Sequence, residues 1–180
     1  MGGGWTVIQK RISDAVSFDR DWQTYGEGFG SPDGNLWIGN EMIHELTKDK
    51  KTSLYISITT DGLPLYVLYE EFYVANAENK YKLFLRGSVE GTLGDKMLYL
   101  DQVESGYILS GMSFSTSDAD NDLWQNGHCA VVHKGGWWYN NCHYAFLNGP
   151  WASATWDNPW KDKIENGADV TETKMMIKRA

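Results

Sequence analysis

The 180-residue sequence lacks a long apolar run, an excess of positive charge and the common catalytic motifs. No run approaches the roughly 20 apolar residues that a membrane-spanning helix needs, so we expect no membrane insertion. Sixteen lysines and arginines against 24 aspartates and glutamates leave a net charge of -8, which argues against binding to nucleic acid or anionic lipid. Because the GxSxG, HExxH, P-loop and GxGxxG patterns are absent, we do not expect an enzyme.

The composition is that of a folded chain rich in aromatic side chains. Hydrophobic residues make up 42% and charged residues 22%, which excludes a disordered chain. At roughly 100–200 residues per domain, the length predicts a single domain over residues 1–180. Aromatic residues make up 14%, with nine tryptophans, which indicates packed loops or a ligand-binding surface.

The first part of the chain, residues 1–86, has the pattern of a mainly antiparallel sheet with short helices. Glycine, aspartate and asparagine separate its β-rich runs, and five of these are predicted strands: 5–12, 36–38, 52–60, 65–74 and 81–86. In residues 87–180 clear periodicity disappears, so we expect long loops. Loops of such length in a compact domain are usually functional, or are held by an ion or a cross-link.

Two short helices are predicted between the strands. In the first, over residues 18–25, apolar residues recur at i, i+4 and i+7, with Ser17 as the N-cap and Gly26 as the stop. The second is predicted over residues 39–47, with His44 on its outer side at the surface. Three apolar side chains share its inner face: Met42, Ile43 and Leu46.

An acidic loop at residues 117–127 is a candidate calcium site. Three of its aspartates stand at alternate positions: Asp118, Asp120 and Asp122. Calcium takes six to eight oxygen ligands at roughly 2.3–2.6 Å, and a turning loop can supply them from carboxylates and main-chain carbonyls. An EF-hand is excluded, because Leu123 stands in place of its glycine and Cys129 in place of its glutamate. A solvated acidic turn is the alternative interpretation.

The two cysteines, Cys129 and Cys142, flank a short aromatic segment. A disulfide closing a loop of about 15 residues contributes on the order of 3 kcal/mol, and it would indicate an oxidising compartment. Two buried free thiols or half of a metal site are the alternatives. The spacing is not that of a CxxC zinc motif, so the sequence favours the disulfide.

Several motifs, taken together, resemble those of a fibrinogen-like domain. They are GGWTVIQKR at 3–11, DADND at 118–122, GGWWYNNCH at 135–143 and LNG at 147–149. Shorter matches follow in the same order: 18–22, 28–30, 36–41, 91–95, 114–116 and 173–178. Only residues 150–170 fit poorly. The chain is therefore similar to the domains of ficolins, tachylectins, angiopoietins and tenascins.

The resemblance implies an α+β fold, with a twisted, mainly antiparallel sheet, short helices, and a loop-rich C-terminal half holding a calcium site and one disulfide. It also implies a secreted, extracellular recognition domain without catalytic activity. The family's carboxylate ligands match Asp120 and Asp122, and the carbonyl ligands are expected from Trp124 and Asn126. Ca²⁺ is thus the expected cofactor, and Asp118 is expected to support the loop from outside the ligand set.

The resemblance also implies a ligand pocket beside a Cys129–Cys142 disulfide. In related lectins the peptide bond that matches Asn141–Cys142 is cis and turns the Cys142 N–H toward an acetyl carbonyl. His143 and His133 would supply polar walls. Since an imidazole titrates near neutral pH, we expect ligand binding to change between about pH 5 and 8.

The sequence departs from the family pattern in three places. The family's N-terminal subdomain, with its own disulfide, would end just before this sequence starts, so we expect that subdomain to be lacking. His133 replaces a tyrosine that lines the acetyl pocket in related lectins. The segment at 150–170 is shorter, and it carries three tryptophans that either stack on a sugar or fill the core: Trp151, Trp156 and Trp160.

Two functions are consistent with these observations. The first is calcium-dependent binding of a glycan, N-acetylated sugars included, in the pocket around His133, Asn141, Cys142 and His143. The second is recognition of a cell-surface receptor or matrix protein, in the manner of angiopoietin-like or tenascin domains, with the sugar pocket vestigial. Relatives gain avidity through segments outside this domain, so an oligomer would form through segments not in this chain.

Overall fold

The computed structural model describes residues 4–49, 51–60, 62–98, 108–151, 155–156 and 170–179. Its strands are β1 (Thr6–Arg11), β2 (Phe29–Gly30), β3 (Leu36–Trp37), β4 (Thr52–Thr60), β5 (Leu63–Val74), β6 (Leu83–Glu90), β7 (Ala145–Phe146), β8 (Thr155–Trp156) and β9 (Val170–Arg179). Its helices are α1 (Trp22–Glu27), α2 (Asn40–Thr47), α3 (Cys129–His133) and a 3-10 turn at Ala77–Asn79. None of these helices has the length and apolar character needed to cross a bilayer.

Among the described strands, seven form one antiparallel sheet in the order β2-β3-β1-β9-β4-β5-β6. Strands β7 and β8 form a separate antiparallel pair. Strand β9 comes from the second part of the chain and lies between β1 and β4, where Ile177 is opposite both Thr6 and Leu54. The expected α+β fold with a mainly antiparallel sheet is confirmed.

In the two central strands, β4 and β9, buried side chains alternate with more exposed ones. In β4, Leu54, Ile56 and Ile58 are fully buried, and in β9 Met175 and Ile177 are buried against them. The predicted strand at 52–60 has the observed bounds of β4, whereas the ends of the other four predicted strands differ by up to four residues. Strand β9 is not among the predicted strands, because lysines and threonines dilute its apolar alternation.

Helix α1 begins later and ends later than predicted. Asp21, not Ser17, is the N-cap, and its carboxylate accepts a hydrogen bond of 2.8 Å from the Thr24 N–H. The helix continues through Gly26 and ends at Gly28, whose φ of 95° lies in the left-handed region that favours glycine. The Ser17 and Gly26 assignments were therefore wrong.

Helix α2 follows the predicted range, but its buried face is narrower than expected. Ile43 is fully buried and Leu46 packs on the core, whereas Met42 is 48% exposed because it precedes Ile43 by about 100° around the helix. The expectation for Met42 was wrong. His44 is only partly exposed, since its Nδ1 atom lies 2.8 Å from the Val74 carbonyl oxygen.

An aromatic cluster joins the sheet to the loop-rich part. The Trp37 ring lies 5.6 Å from Tyr25 and 6.0 Å from Trp138, and Phe114 packs on all three rings. The Tyr25 hydroxyl accepts a hydrogen bond of 3.0 Å from the Gly136 N–H. A Cβ atom at Gly136 would lie 2.5 Å from the Tyr25 ring, so only glycine allows this close approach. Much of the aromatic content thus fills the core.

Candidate functional site

Buried polar contacts fix the loop-rich part on strand β1. Gln9 donates a hydrogen bond of 3.2 Å to the Asn148 side-chain oxygen, and Asn148 donates one of 3.0 Å to the Gly136 carbonyl. The Arg11 guanidinium donates a bond of 3.1 Å to the Leu147 carbonyl. Burial lowers the pKa of Arg11 to about 10, so the side chain stays charged near neutral pH. These contacts fix the middle of the cysteine-bounded segment, at Gly136, and the residues that follow it, at Leu147 and Asn148, to strand β1.

Cys129 and Cys142 form a disulfide, with their Cα atoms 5.7 Å apart. The disulfide prediction is confirmed, and the alternatives of free thiols or a metal-binding half-site are wrong. The Asn141–Cys142 peptide bond is cis, as the family resemblance implied. The disulfide connects the start of helix α3 with the end of the aromatic segment.

The acidic loop is organised by one carboxylate. Asp122 accepts a hydrogen bond of 2.8 Å from the Trp124 N–H through Oδ1 and one of 2.7 Å from the Cys129 N–H through Oδ2. Asp120 accepts a longer bond of 3.3 Å from the Asp122 N–H. Asp122 therefore ties the loop to the first residue of α3, beside the disulfide.

A group of three side chains in this loop could hold a metal ion. One atom each from Asp120, Asp122 and His128 lie within 4.8 Å of one another. Burial raises the pKa of the Asp122 carboxyl, and the nearby Asp120 charge adds to this effect. A bound cation would stabilise the charged form of Asp122 and offset its repulsion with Asp120. The two carboxylates fit calcium, whereas the His128 Nε2 atom is a softer donor and lies 3.0 Å from the Thr116 carbonyl.

The other predicted members of the loop occupy different positions. Asp118 accepts a hydrogen bond of 2.9 Å from the Trp22 N–H, so it connects the loop to helix α1. The Trp124 carbonyl accepts a bond of 3.3 Å from the Gly127 N–H and retains a second lone pair, while Asn126 is exposed. The metal-binding roles of Trp124 and Asn126 stay predictions. His128 was missed, although it lies within the same short stretch of sequence.

A cavity of about 300 Å³ adjoins the disulfide and the acidic loop. It contains all four predicted ligand-binding residues and two apolar ones, Trp124 and Val132. The complete lining is Trp124, Val132, His133, Asn141, Cys142 and His143. The fold thus brings the predicted pocket residues together in one cavity, and Trp124 of the acidic loop forms part of its wall.

His143 is the most unusual side chain of this cavity. Both of its ring nitrogens are buried, and neither has a hydrogen-bond partner among the described residues. Its ring packs between Phe146, His133 and Tyr139, at centroid distances of 4.8, 4.5 and 5.9 Å. Burial, with a smaller contribution from His133, lowers the pKa of His143 to about 3. The imidazole is therefore neutral and offers one donor and one acceptor.

His133 stacks on Tyr139, with ring centroids 6.1 Å apart. Burial lowers the pKa of His133 below its ordinary value. Burial therefore moves protonation of His143 below the expected range of about pH 5 to 8 and moves that of His133 to lower pH, so a change of ligand binding within this range stays a prediction for His133. Near neutral pH both walls are uncharged.

The neutral state of His143 predicts a loss of stability in acid. Its folded pKa lies below the unfolded value, so the unfolded chain takes up the proton first as the pH falls below about 6.5. We expect His143 to lower the free energy of unfolding by about 2 kcal/mol between pH 7 and pH 5. Urea denaturation of the wild type and of His143→Gln at both pH values measures this difference.

The control for this prediction is His44→Gln, which removes a histidine of helix α2 and leaves the cavity intact. It should keep the wild-type loss of stability, whereas His143→Gln should reduce it. Equal pH dependence in the wild type and in His143→Gln would contradict the assignment.

The tryptophans of the 150–170 segment are described only in part. The Trp151 ring lies 5.5 Å from the Arg11 guanidinium carbon, which favours a structural contact for this residue. The Trp156 side chain and all of Trp160 lie outside the described residues. Their sugar-stacking or core-filling roles stay predictions.

This chain is similar to known proteins in both sequence and fold. A family model for the C-terminal globular domain of fibrinogen beta and gamma chains matches residues 1–179. Human fibroleukin is 42% identical over 150 residues, which cover 83% of this chain and 33% of that protein. Ryncolin-4 of Cerberus rynchops is 39% identical over 149 residues, which cover 82% and 40%. The chain thus spans about a third of the length of fibroleukin.

Solved structures agree with this grouping. The fibrinogen-like globe domain of human ANGPTL2 has a TM-score of 0.81 and 34% identity, covering 98% of this chain and 81% of that chain. A lamprey fibrin D-dimer complexed with the peptide Gly-His-Arg-Pro-amide has a TM-score of 0.85 and 31% identity, covering 98% and 61%. The fibrinogen-like domains of these relatives are non-enzymatic binding domains, which confirms that no enzyme is to be expected. This chain belongs to the family of fibrinogen C-terminal globular domains.

Proposed function

We propose that the protein is a secreted, calcium-dependent recognition domain that binds a glycan, N-acetylated sugars included, in the cavity beside the Cys129–Cys142 disulfide. The observation that carries the proposal is the buried, neutral His143 imidazole, whose two nitrogens have no partner among the described residues. Buried polar groups are normally hydrogen-bonded, so a ligand that supplies partners at this cavity gains affinity. An extracellular location agrees with the disulfide.

The cavity suits a neutral ligand with one polar and one apolar group. The Cys142 N–H donates no hydrogen bond within the described residues and is available to a carbonyl. Trp124 and Val132 offer apolar surface to a methyl group, and Asn141 and His133 offer polar contacts. An acetamido group has this combination, whereas a charged group would meet uncharged walls.

Calcium would be held by Asp120 and Asp122, with main-chain carbonyls of Trp124 and Asn126. The ion supplies a fixed positive charge that holds the loop carboxylates together. Because Trp124 follows Asp122 by two residues and lines the cavity, ordering of the loop would fix one cavity wall. This is the physical reason to expect calcium-dependent ligand binding.

A protein ligand is the second candidate, in the manner of receptor-binding or matrix-binding relatives. Three aliphatic side chains at or next to the cavity lining are more than half exposed: Leu123, Val131 and Val132. Exposed apolar side chains of this kind favour a protein surface over a polar sugar. The lamprey fibrin D-dimer, a relative whose structure was solved in complex with a peptide, supports this candidate.

Thermal unfolding tests the proposal. Calcium should raise the Tm relative to a chelator, and N-acetylglucosamine should raise it further in calcium, because a ligand that binds only the folded state stabilises that state. Glucose, which lacks the acetamido group, should give a smaller rise. In His143→Gln the sugar affinity should fall by about tenfold, as expected for one lost hydrogen bond in a buried site.

The outcomes separate the two candidates. A Tm that rises with calcium but ignores both sugars would reject the glycan proposal and favour a protein ligand. Equal rises with N-acetylglucosamine and glucose would reject recognition of the acetyl group. A Tm that does not respond to calcium would reject the calcium site.

A further inference from the structure

A second cavity, of about 460 Å³, lies between the end of α2, the start of β4 and the paired strands β5 and β6. We call it the α2–β6 cleft. It shares no lining residue with the cavity at the disulfide. A ligand in the cleft would therefore be a separate ligand from one in the disulfide cavity.

Aromatic rings form one wall of the α2–β6 cleft. Tyr73 of β5 and Phe84 of β6 are direct partners in the sheet, and their half-buried rings stack with centroids 5.5 Å apart. His44 of α2 lies behind Tyr73, with a ring distance of 6.2 Å. The Tyr73 hydroxyl makes no hydrogen bond to any described residue. Such a wall offers an apolar ring face with a polar tip, the usual make-up of a small-ligand site.

Charged side chains stand next to these rings. Glu71 and Arg86 are paired two residues further along β5 and β6, so two-residue periodicity places them on the same face as Tyr73 and Phe84. The Glu71 carboxylate already binds Lys51, at 2.8 Å. The exposed Arg86 guanidinium has neither a hydrogen bond nor an ion pair with any described residue.

The remaining charges at the cleft are largely balanced. Lys48 forms an ion pair of 2.7 Å with Glu45, which precedes it by about one helical turn. The described lining residues include Lys48, Lys51 and Arg86 against Asp49 and Glu71, an excess of one positive charge among them in a chain with a net charge of -8. Among the described residues of the cleft, Arg86 is thus the cation without a protein partner, and it is available to an external anion.

We propose that the α2–β6 cleft binds an acidic saccharide, a sugar ring that carries a carboxylate or a sulfate. Arg86 binds the anionic group through its planar fork of N–H donors, which matches two oxygens of either anion. Tyr73 and Phe84 pack against the C–H face of the ring. The Lys51–Glu71 pair supplies one donor and one acceptor to the sugar hydroxyls.

Titration calorimetry with three tetrasaccharides tests the proposal: tetragalacturonate, sulfated maltotetraose and neutral maltotetraose. None carries the acetyl group proposed for the disulfide cavity, and any remaining binding in that cavity is unaffected by Arg86→Gln, because the two cavities share no lining residue. At least one charged probe should bind about tenfold more tightly than the neutral one, and the preferred probe identifies carboxylate or sulfate as the recognised anion. Arg86→Gln should lower the affinity for that probe by about tenfold and leave the neutral probe unchanged.

The matched control is Arg20→Gln, which removes the same charge from an exposed position away from the cleft. Equal losses in Arg86→Gln and Arg20→Gln would show only attraction by net charge and would overturn the proposal. Full affinity in Arg86→Gln, or no binding of either charged probe, would also overturn it. Binding of tetraglutamate as tight as that of the charged sugars would assign the cleft to an acidic peptide instead.

Discussion

Replacing Asp122 with alanine is expected to lower the free energy of unfolding by about 3 kcal/mol and to abolish the rise of the Tm in calcium. The carboxylate accepts hydrogen bonds from the Trp124 and Cys129 N–H groups, at 2.8 and 2.7 Å. Hydrogen bonds to a charged group contribute roughly 1.5–3 kcal/mol each, and the partial exposure of Asp122 favours the lower value. Urea denaturation in chelator measures the stability, and thermal melts measure the calcium response.

The matched variant Asp120→Ala separates the two effects. Asp120 is exposed, accepts a long hydrogen bond of 3.3 Å from the Asp122 N–H and lies 4.0 Å from His128 Nε2. Its removal should therefore change the free energy of unfolding by no more than about 0.5 kcal/mol. It should still lose the calcium response. A calcium response retained in Asp120→Ala would contradict the role of Asp120 in calcium binding. Equal destabilisation by both substitutions would contradict the larger structural role of Asp122.

Removing the disulfide, by Cys129→Ala together with Cys142→Ala, is expected to lower the free energy of unfolding by about 3 kcal/mol. The cross-link joins residues 13 apart, and it restricts the unfolded chain more than the folded one. Because Cys142 lines the cavity and the disulfide holds it there, the sugar-dependent rise of the Tm should also be lost. Urea denaturation and thermal melts measure the two effects.

A reducing agent provides the control for the cysteine variant. It should lower the stability of the wild type to that of the variant, and it should leave the variant unchanged. A double variant as stable as the oxidised wild type would contradict the prediction, and so would a reductant effect of equal size in both proteins.

The sequence predicts elements well where local pattern and tertiary packing agree. Strand β4 has regular apolar alternation, and its bounds are those predicted. The start of helix α1 is decided by packing instead, because both Ser17 and Asp21 are suitable caps. Phe18 packs on Phe29 with ring centroids 4.8 Å apart, which places it in the core ahead of the helix. No local signal distinguishes these two starts.

Residue identities at the site could be predicted, but their environments could not. Cys129 and Cys142 pair as predicted, and the cavity gathers the predicted histidines. The low pKa of His143 depends on Phe146 and Tyr139 closing around its ring, which only the folded chain shows. Arg86 gave no sequence signal either, since its unpaired state depends on Lys51 binding Glu71.

The position of β9 has a consequence for synthesis of the protein. Residues 170–179 form strand β9, which lies between β1 and β4 in the sheet. Until the ribosome has produced β9, the edges of β1 and β4 that pair with it have no partner. Both strands then present open edges, which are prone to pairing with other chains. The nascent chain is therefore expected to depend on chaperones until strand β9 has left the ribosome.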